Sequence, residues 1–512
     1  MVSDMINLKS LMTTQIIVRH AEYIVNISEI EKKLKKLSSE FTSRVTKEYL
    51  SEMCENIGVK SEEDLLEGLF IFIKKLIKEI KSLKKMVKMN QLSFNSDTDN
   101  IFIAPPHKLY ERVIEIENNY GIATNVIIYD HKKKIKNSFS KLLLDAFGYN
   151  KFSQKGNDVI KYIELLTKLK SPNSSFYKVY NKSILINKIC NEIRRYNKIS
   201  DELKFVNEEL ICEIQKVNKK LKADIINDVV EIIQNSYEQC KCTFNNAFLT
   251  TDTYSEFNKG KKNSKWNAYT LVMSLGIKSC PYCNRQYITP VYREEGCGVR
   301  ADLDHFYPKS RYPYLSMSLY NLIPCCKFCN SIKGDKEFNY KSYLHPYEHG
   351  FEDYLKFRYK PIKYLFTGSS KDEFKIVLES SEEIDEKKEL VKKAENNMEF
   401  FMIEPLYYYH KDEVMDLIKK RLIYNKAYCD ELKHRLEETT GKPITEKQLI
   451  EFIVSNIIDE DKLYERTLSK LYKDIVDQLG FFKEDDDFKM TENECGALKK
   501  LLINLNSSVD LI

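Results

Sequence analysis

The chain has 512 residues, 43% hydrophobic and 31% charged, with a formal net charge of +5. That is material for roughly three domains with a sizeable core, and it excludes an intrinsically disordered chain. The longest apolar run, residues 69–73, excludes a transmembrane helix, which needs about 20 such residues. The first fifteen residues lack a basic segment followed by an apolar one, so no signal peptide is expected and a cytoplasmic location is. Only 15 Gly and 12 Pro, against abundant Lys, Glu, Ile and Leu, point to a mainly helical protein.

In chain order, Ser61 with Asp64 three residues on has the form of a helix cap. Leu66, Leu69, Ile73, Leu76, Ile80, Leu83 and Val87 then recur at helical spacing. The lysines between them, with Glu62, Glu63, Asp64, Glu67 and Glu79, read as a solvated face rather than a DNA-binding one. Residues 91–106 are polar and end in Pro105-Pro106, the mark of a loop or boundary. Helical periodicity returns over 158–168, 184–199 and 201–235, and a linker-like stretch covers 250–265. A short helix is expected over 266–275, and a β-hairpin over 357–378 around a Gly-Ser-Ser turn. Residues 386 onward read as helices, ending near an acidic run at 484–487. No phosphate-binding G-x-x-x-x-G-K-[ST] loop occurs.

Charge and cysteine distribution single out the middle of the chain. Residues 259–348 hold 14 Lys and Arg against 7 Asp and Glu, so the basic excess is concentrated there, as a nucleic-acid site requires. The 13 cysteines are an odd, dispersed set and not a disulfide framework. Two Cys-x-x-Cys pairs, Cys280/Cys283 and Cys326/Cys329, each supply two soft ligands from one tight turn, the set that suits tetrahedral structural Zn²⁺. Unrelated core cysteines or a redox pair are the alternatives, but a redox site needs one pair, not two. Cys325 is a weaker ligand candidate than Cys326 because it breaks the two-residue spacing.

Between the pairs lie Leu303-Asp304-His305-Phe306 and Tyr320-Asn321-Leu322, followed by Cys329-Asn330 and Lys333-Gly334. In this order they resemble the HNH, or ββα-metal, endonuclease superfamily over about seventy residues. The resemblance implies that His305 is the general base and that Asp304 and Asn330 hold a catalytic Mg²⁺ or Mn²⁺. It implies that Asn321 orients the base through a backbone hydrogen bond. Adjacent residues of a strand face opposite ways, so Asp304 and His305 can serve cation and water separately. Lys309, Arg311, Lys327 and Lys333 are candidate phosphate contacts, beside the plainer reading of surface charges. Tyr307, Tyr312 and Tyr314 are expected to pack.

More narrowly, the segments Cys-Pro-Tyr-Cys-Asn-Arg and Asp-His-Phe-Tyr-Pro-Lys-Ser are similar to those of HNH effectors in bacterial anti-phage systems, Septu-type and retron-associated nucleases among them. These often work with a separate ATPase.

The expected fold is therefore mainly α with a small α+β insert, a zinc-stapled ββα nuclease module between helical regions. Its stretches are 1–105 and 106–258 (helical), 259–350 (nuclease module), 351–385 (hairpin extension) and 386–512 (helical). The expected function is hydrolysis of nucleic-acid phosphodiesters, with double-stranded DNA as the first candidate, RNA as the second and no membrane partner. The alternative is a non-catalytic zinc module that binds nucleic acid or a partner protein.

Overall fold

The computed structural model describes residues 12–27, 30–44, 47–93, 98–132, 139–149, 181–196, 210–217, 223–233, 266–290, 300–351, 354–361, 374–380 and 388–481, with isolated positions between 165 and 179. The described residues are mainly helical, with two two-stranded sheets. None of their helices is long and apolar enough to cross a membrane. The chain divides into two compact units, one of residues 1–147, 275–289 and 301–512, the other of 148–274 and 290–300. These units cut across the five expected stretches, because the N- and C-terminal helices belong to the same unit as the two cysteine pairs.

In the first unit, α1 (Thr14–Asn26), α2 (Ile30–Arg44), α3 (Lys47–Ile57) and α4 (Glu62–Lys88) open the chain. The Ser61 hydroxyl accepts from the Asp64 amide at 3.1 Å, and acids in the first turn of α4 and lysines in its last complement the helix dipole. Its buried stripe runs through Leu65, Leu69, Phe72, Ile73, Leu76, Ile77, Ile80 and Leu83. It is wider than the expected stripe and starts at Leu65 rather than Leu66, because α1 and α2 both pack on this helix. Lys84 pairs with Glu31 at 2.8 Å, and Lys75 with Glu79 at 3.4 Å. Pro105 and Pro106 do not break structure. They start α5 (Pro106–Asn119), where the missing amide and fixed φ of proline suit the first helical turn. Two further helices, α6 (Gly121–Lys132) and α7 (Phe139–Ala146), complete this part.

In the second unit, α8 (Lys182–Tyr196) and helical segments at 210–215 and 223–233 surround an apolar core that runs from Leu165 to Ile233. The expected helix over 158–168 lies mostly outside the described residues, and the linker 250–265 wholly so. The expected short helix is α9 (Ala268–Leu275), started by the Asn267 side-chain Oδ1, which accepts from the Tyr269 and Thr270 amides.

The remaining elements belong to the first unit. Strand β1 (Asp302–His305) pairs antiparallel with β2 (Leu322–Cys325), and α10 (Lys327–Lys333) follows directly. The expected second hairpin is β3 (Leu355–Pro361) with β4 (Phe374–Ser380), its Gly-Ser-Ser turn lying outside the described residues. Then come α11 (Lys388–Phe400), α12 (Ile403–Tyr407), α13 (Lys411–Ile423), α14 (Lys426–Thr440), α15 (Glu446–Val454) and α16 (Ser469–Gln478). The acidic run 484–487 is outside the described residues.

Candidate metal centre and active site

The two cysteine pairs meet. All four thiols of Cys280, Cys283, Cys326 and Cys329 are buried, and their Sγ atoms lie within 4.8 Å of one another, Cys283 and Cys326 being 3.9 Å apart. A tetrahedral metal–thiolate site with bonds of about 2.3 Å has sulfur–sulfur edges of about 3.8 Å. The group thus fits a metal ion such as zinc. Local backbone makes each half. In the first, the Asn284 amide reaches back to the Cys280 carbonyl at 2.7 Å, and Asn284 itself turns into left-handed backbone, φ 46°. In the second, Cys326 caps α10, its Sγ accepting from the Cys329 amide at 3.4 Å, while its own amide donates to Cys280 Sγ at 3.3 Å. Cys325 is buried and is not part of the group. Burial pushes Cys280 up, while contact with the other three thiols pushes Cys329 up and Cys326 down. A metal ion would bind these groups as thiolates, the ligating form.

Beside the cysteines stands the ββα unit. Asp304 and His305 end β1, Asn321 immediately precedes β2, and Asn330 is on α10. Asp304 is 4% exposed and both its oxygens are engaged: Oδ1 accepts from Lys333 Nζ at 3.0 Å and Oδ2 from the Tyr282 hydroxyl at 2.7 Å. Lys333 also donates to the His305 carbonyl. His305 is 5% exposed, its Nε2 3.1 Å from the Ser316 carbonyl. With that nitrogen donating, Nδ1 is the basic one. Burial, with the charges of Lys309 and Lys333, lowers His305 to about 3, so the ring is neutral at neutral pH. Burial and the Asp304 charge push the Tyr282 hydroxyl well up, which keeps it a donor.

Asn321 holds the loop rather than the ring. Its Oδ1 accepts from the Tyr307 amide at 2.7 Å, and its Nδ2 donates to the carbonyls of Tyr307 at 3.2 Å and Leu315 at 3.0 Å. Its backbone carbonyl receives Phe306, at 3.0 Å, so the carbonyl facing the His305 ring is that of Ser316 instead. The N-terminal helices brace the same loop from outside. Phe102 accepts from the Leu319 amide at 2.8 Å, and His20 Nε2 lies 2.8 Å from the Met317 carbonyl. Tyr307 and Tyr314 are buried, as expected of packing residues.

Asn330 donates to Asp302 Oδ2 at 3.1 Å. Asp302 shares the face of Asp304 in β1, a pairing that period-two alternation makes readable but that the motif alone hides. Of the four candidate phosphate contacts, Lys327 is exposed at the start of α10 and Arg311 pairs with Glu337 at 3.2 Å. Lys309 is half-buried, with burial lowering its charge affinity and Asp335 opposing that. Lys333 differs from the expectation: it is fully buried, with its ammonium on Asp304 and 5.2 Å above the Phe338 ring. A buried carboxylate needs a counter-charge more than the surface needs another cation. Gly334 then ends the helix at φ 49° and ψ −130°, backbone that a side chain would strain.

The C-terminal helices close over the first cysteine pair. The Asn284 amide group donates to the Ser279 hydroxyl and to the carbonyls of Leu463 and Arg466, and its oxygen accepts from the Ser469 hydroxyl and the Lys470 amide. The Tyr407 hydroxyl donates to the Cys283 carbonyl at 2.8 Å. Tyr282, Asp302 and Ser316 carry parts of the site that the sequence reading left out. Compared with family models, curated proteins and solved structures, the chain matches none, so its functional reading stands on these residues.

Proposed function

We propose that the chain is a metal-dependent endonuclease of the HNH class that hydrolyses phosphodiester bonds of double-stranded DNA, with structural Zn²⁺ in the four-cysteine group. The observation that carries this reading is the gathering of Asp304, His305 and Asn330 on one hairpin and the helix that follows it, directly beside the four thiols. In this reading Asp304 and Asn330 would hold Mg²⁺ or Mn²⁺, a hard cation suited to their oxygen donors. When bound, the cation supplies neutralising charge at the phosphate. His305, neutral at working pH, takes the proton of the attacking water at Nδ1, with Ser316 fixing its tautomer. Lys327, exposed at the start of α10, is the lysine placed to meet phosphate. A role in anti-phage defence beside a separate ATPase extends the same reading.

The test is cleavage of plasmid DNA by the full-length chain with Mg²⁺ or Mn²⁺. EDTA is expected to abolish it, and His305→Ala to slow it by about 10²–10⁴-fold, the usual size of a general-base contribution, without loss of DNA binding. One observation favours a second reading, a non-catalytic zinc module that binds nucleic acid or a partner. Asp304 is already neutralised by Lys333, and His305 is almost wholly buried. Metal-independent DNA binding with no cleavage would select it.

A further inference from the structure

The two faces of the β3–β4 hairpin differ in charge. Phe357, Ile376 and Leu378 share one face and are buried, with the Phe357 ring 4.3 Å from that of Tyr407. Tyr407 in turn donates to the Cys283 carbonyl, which ties the hairpin to the first cysteine turn. Strand alternation puts Lys356, Arg358 and Lys360 on the other face, in register with Glu379, Val377 and Lys375. That face sets four cations against one acid. Lys360 and Lys375 are exposed and stand directly opposite each other, a placement of like charges that destabilises a sheet. Lys360 also pairs with Glu379, but a solvent-facing pair offsets little. Lysines can serve to guard a bare strand edge. Here the β3 edge is covered by α16, where Asp474 Oδ2 accepts from the Phe357 amide at 2.8 Å and Gln478 Oε1 from the Tyr359 amide at 3.0 Å. The fold thus has no use for these opposed lysines, whereas an anionic occupant does. We propose that this face of the β3–β4 hairpin is a DNA-contact surface that takes the phosphate backbone of the duplex.

This rests on the proposed nuclease reading for the identity of the polyanion and adds a grip on the duplex outside the ββα unit. Same-face residues of a strand recur about every 6.7 Å, so Lys356, Arg358 and Lys360 form a line of cations that Lys375 widens. A protein partner would need an apolar or aromatic anchor at the centre of its contact, and Val377 is the one uncharged residue among these six. Phosphate contacts fix register and carry no base sequence, so the surface grips any duplex alike. Each phosphate neutralised releases counterions and contributes about −0.9 to the slope of log affinity against log salt.

The experiment compares the full-length chain with the double variant Lys360→Gln, Lys375→Gln. Binding to a short fluorescent duplex of arbitrary sequence is read by anisotropy at several salt concentrations, with no Mg²⁺ or Mn²⁺ added so that the probe stays whole. The variant is expected to bind more weakly and with a salt slope flatter by about 1.8. The affinity it loses between about 50 and 200 mM salt is then smaller by about tenfold. Its unfolding midpoint in denaturant should equal or exceed the wild type's, because two opposed like charges are gone. Duplex titrations that superimpose on the wild type in affinity and slope overturn the inference and leave the nuclease reading standing. A lowered unfolding midpoint also overturns it, making the lysines part of the fold. Weaker binding to single-stranded RNA with the duplex titration unchanged overturns it in favour of RNA. A wild type with the lysine-dependent slope that never cuts plasmid on adding Mg²⁺ or Mn²⁺ overturns the nuclease reading and leaves the surface standing. A wild type that binds no duplex overturns both.

Discussion

The core around Leu165–Ile233 and the core around β1 solve burial in opposite ways. Among the described residues the first buries only apolar side chains, from Leu165 and Phe176 to Val229 and Ile233. The second buries Asp304, His305, Asn321 and Lys333 among its aromatic rings. Apolar packing tolerates any well-filled arrangement, whereas a buried polar group costs free energy unless each partner is in place. The contrast marks the second core as built for specific geometry and the first as built for cohesion.

That contrast can be tested by removing groups from each. The largest effect is expected from the four-cysteine group. Cys283→Ser should lose the bound metal and most of the cooperative unfolding transition, since structural zinc can contribute about 10–16 kcal/mol to a small fold. Native mass spectrometry and circular dichroism check both. Next, Lys333→Met should cost about 3–5 kcal/mol by leaving Asp304 charged and alone. The double variant Lys333→Met with Asp304→Asn should regain much of that, and equal stability of the single and double variants would break the account. In the apolar core, Ile189→Ala should cost about 2–5 kcal/mol as a simple cavity, with zinc content untouched.

The smallest effect is a pH slope. Burial lowers His20 to about 4 from an ordinary 6.5, so the folded chain keeps it neutral while the unfolded chain takes up a proton. Its contribution is complete above about 6.5 and is lost as pH falls toward 4, worth up to about 3 kcal/mol. His305 and His345, both lowered to about 3, act in the same direction. Denaturant midpoints between pH 7 and 5 should fall in the wild type and fall less in His20→Gln.

Much of this is legible in residues whose meaning is local. The α4 stripe, the two Cys-x-x-Cys turns and the β3–β4 hairpin all declare themselves by spacing. The helical flanks are less so. Residues 20, 72 and 102 brace the loop before β2, and α16 holds the first cysteine turn, so the N-terminal helices up to α7 and the C-terminal helices belong to one unit with the module rather than being appendages to it. Such contacts depend on tertiary packing and leave no periodic signal. The Ser316 carbonyl is backbone and has no letter of its own. Lys333 was readable as a cation, but its burial follows from a carboxylate that only the fold brings within 3.0 Å.

The Asn284 contacts also set a timetable. Its side chain is satisfied by residues 463–470, some 185 positions downstream. At synthesis rates of about 5–20 residues per second, the first cysteine turn waits roughly 10–40 s for its last partners to be made. During that interval its left-handed Asn284 is unsupported from that side, and the ββα unit exists as a chain segment with its metal ligands made and its clamp still unbuilt. Native assembly of this region is therefore late in the order of synthesis, completed only when α16 reaches the first cysteine turn.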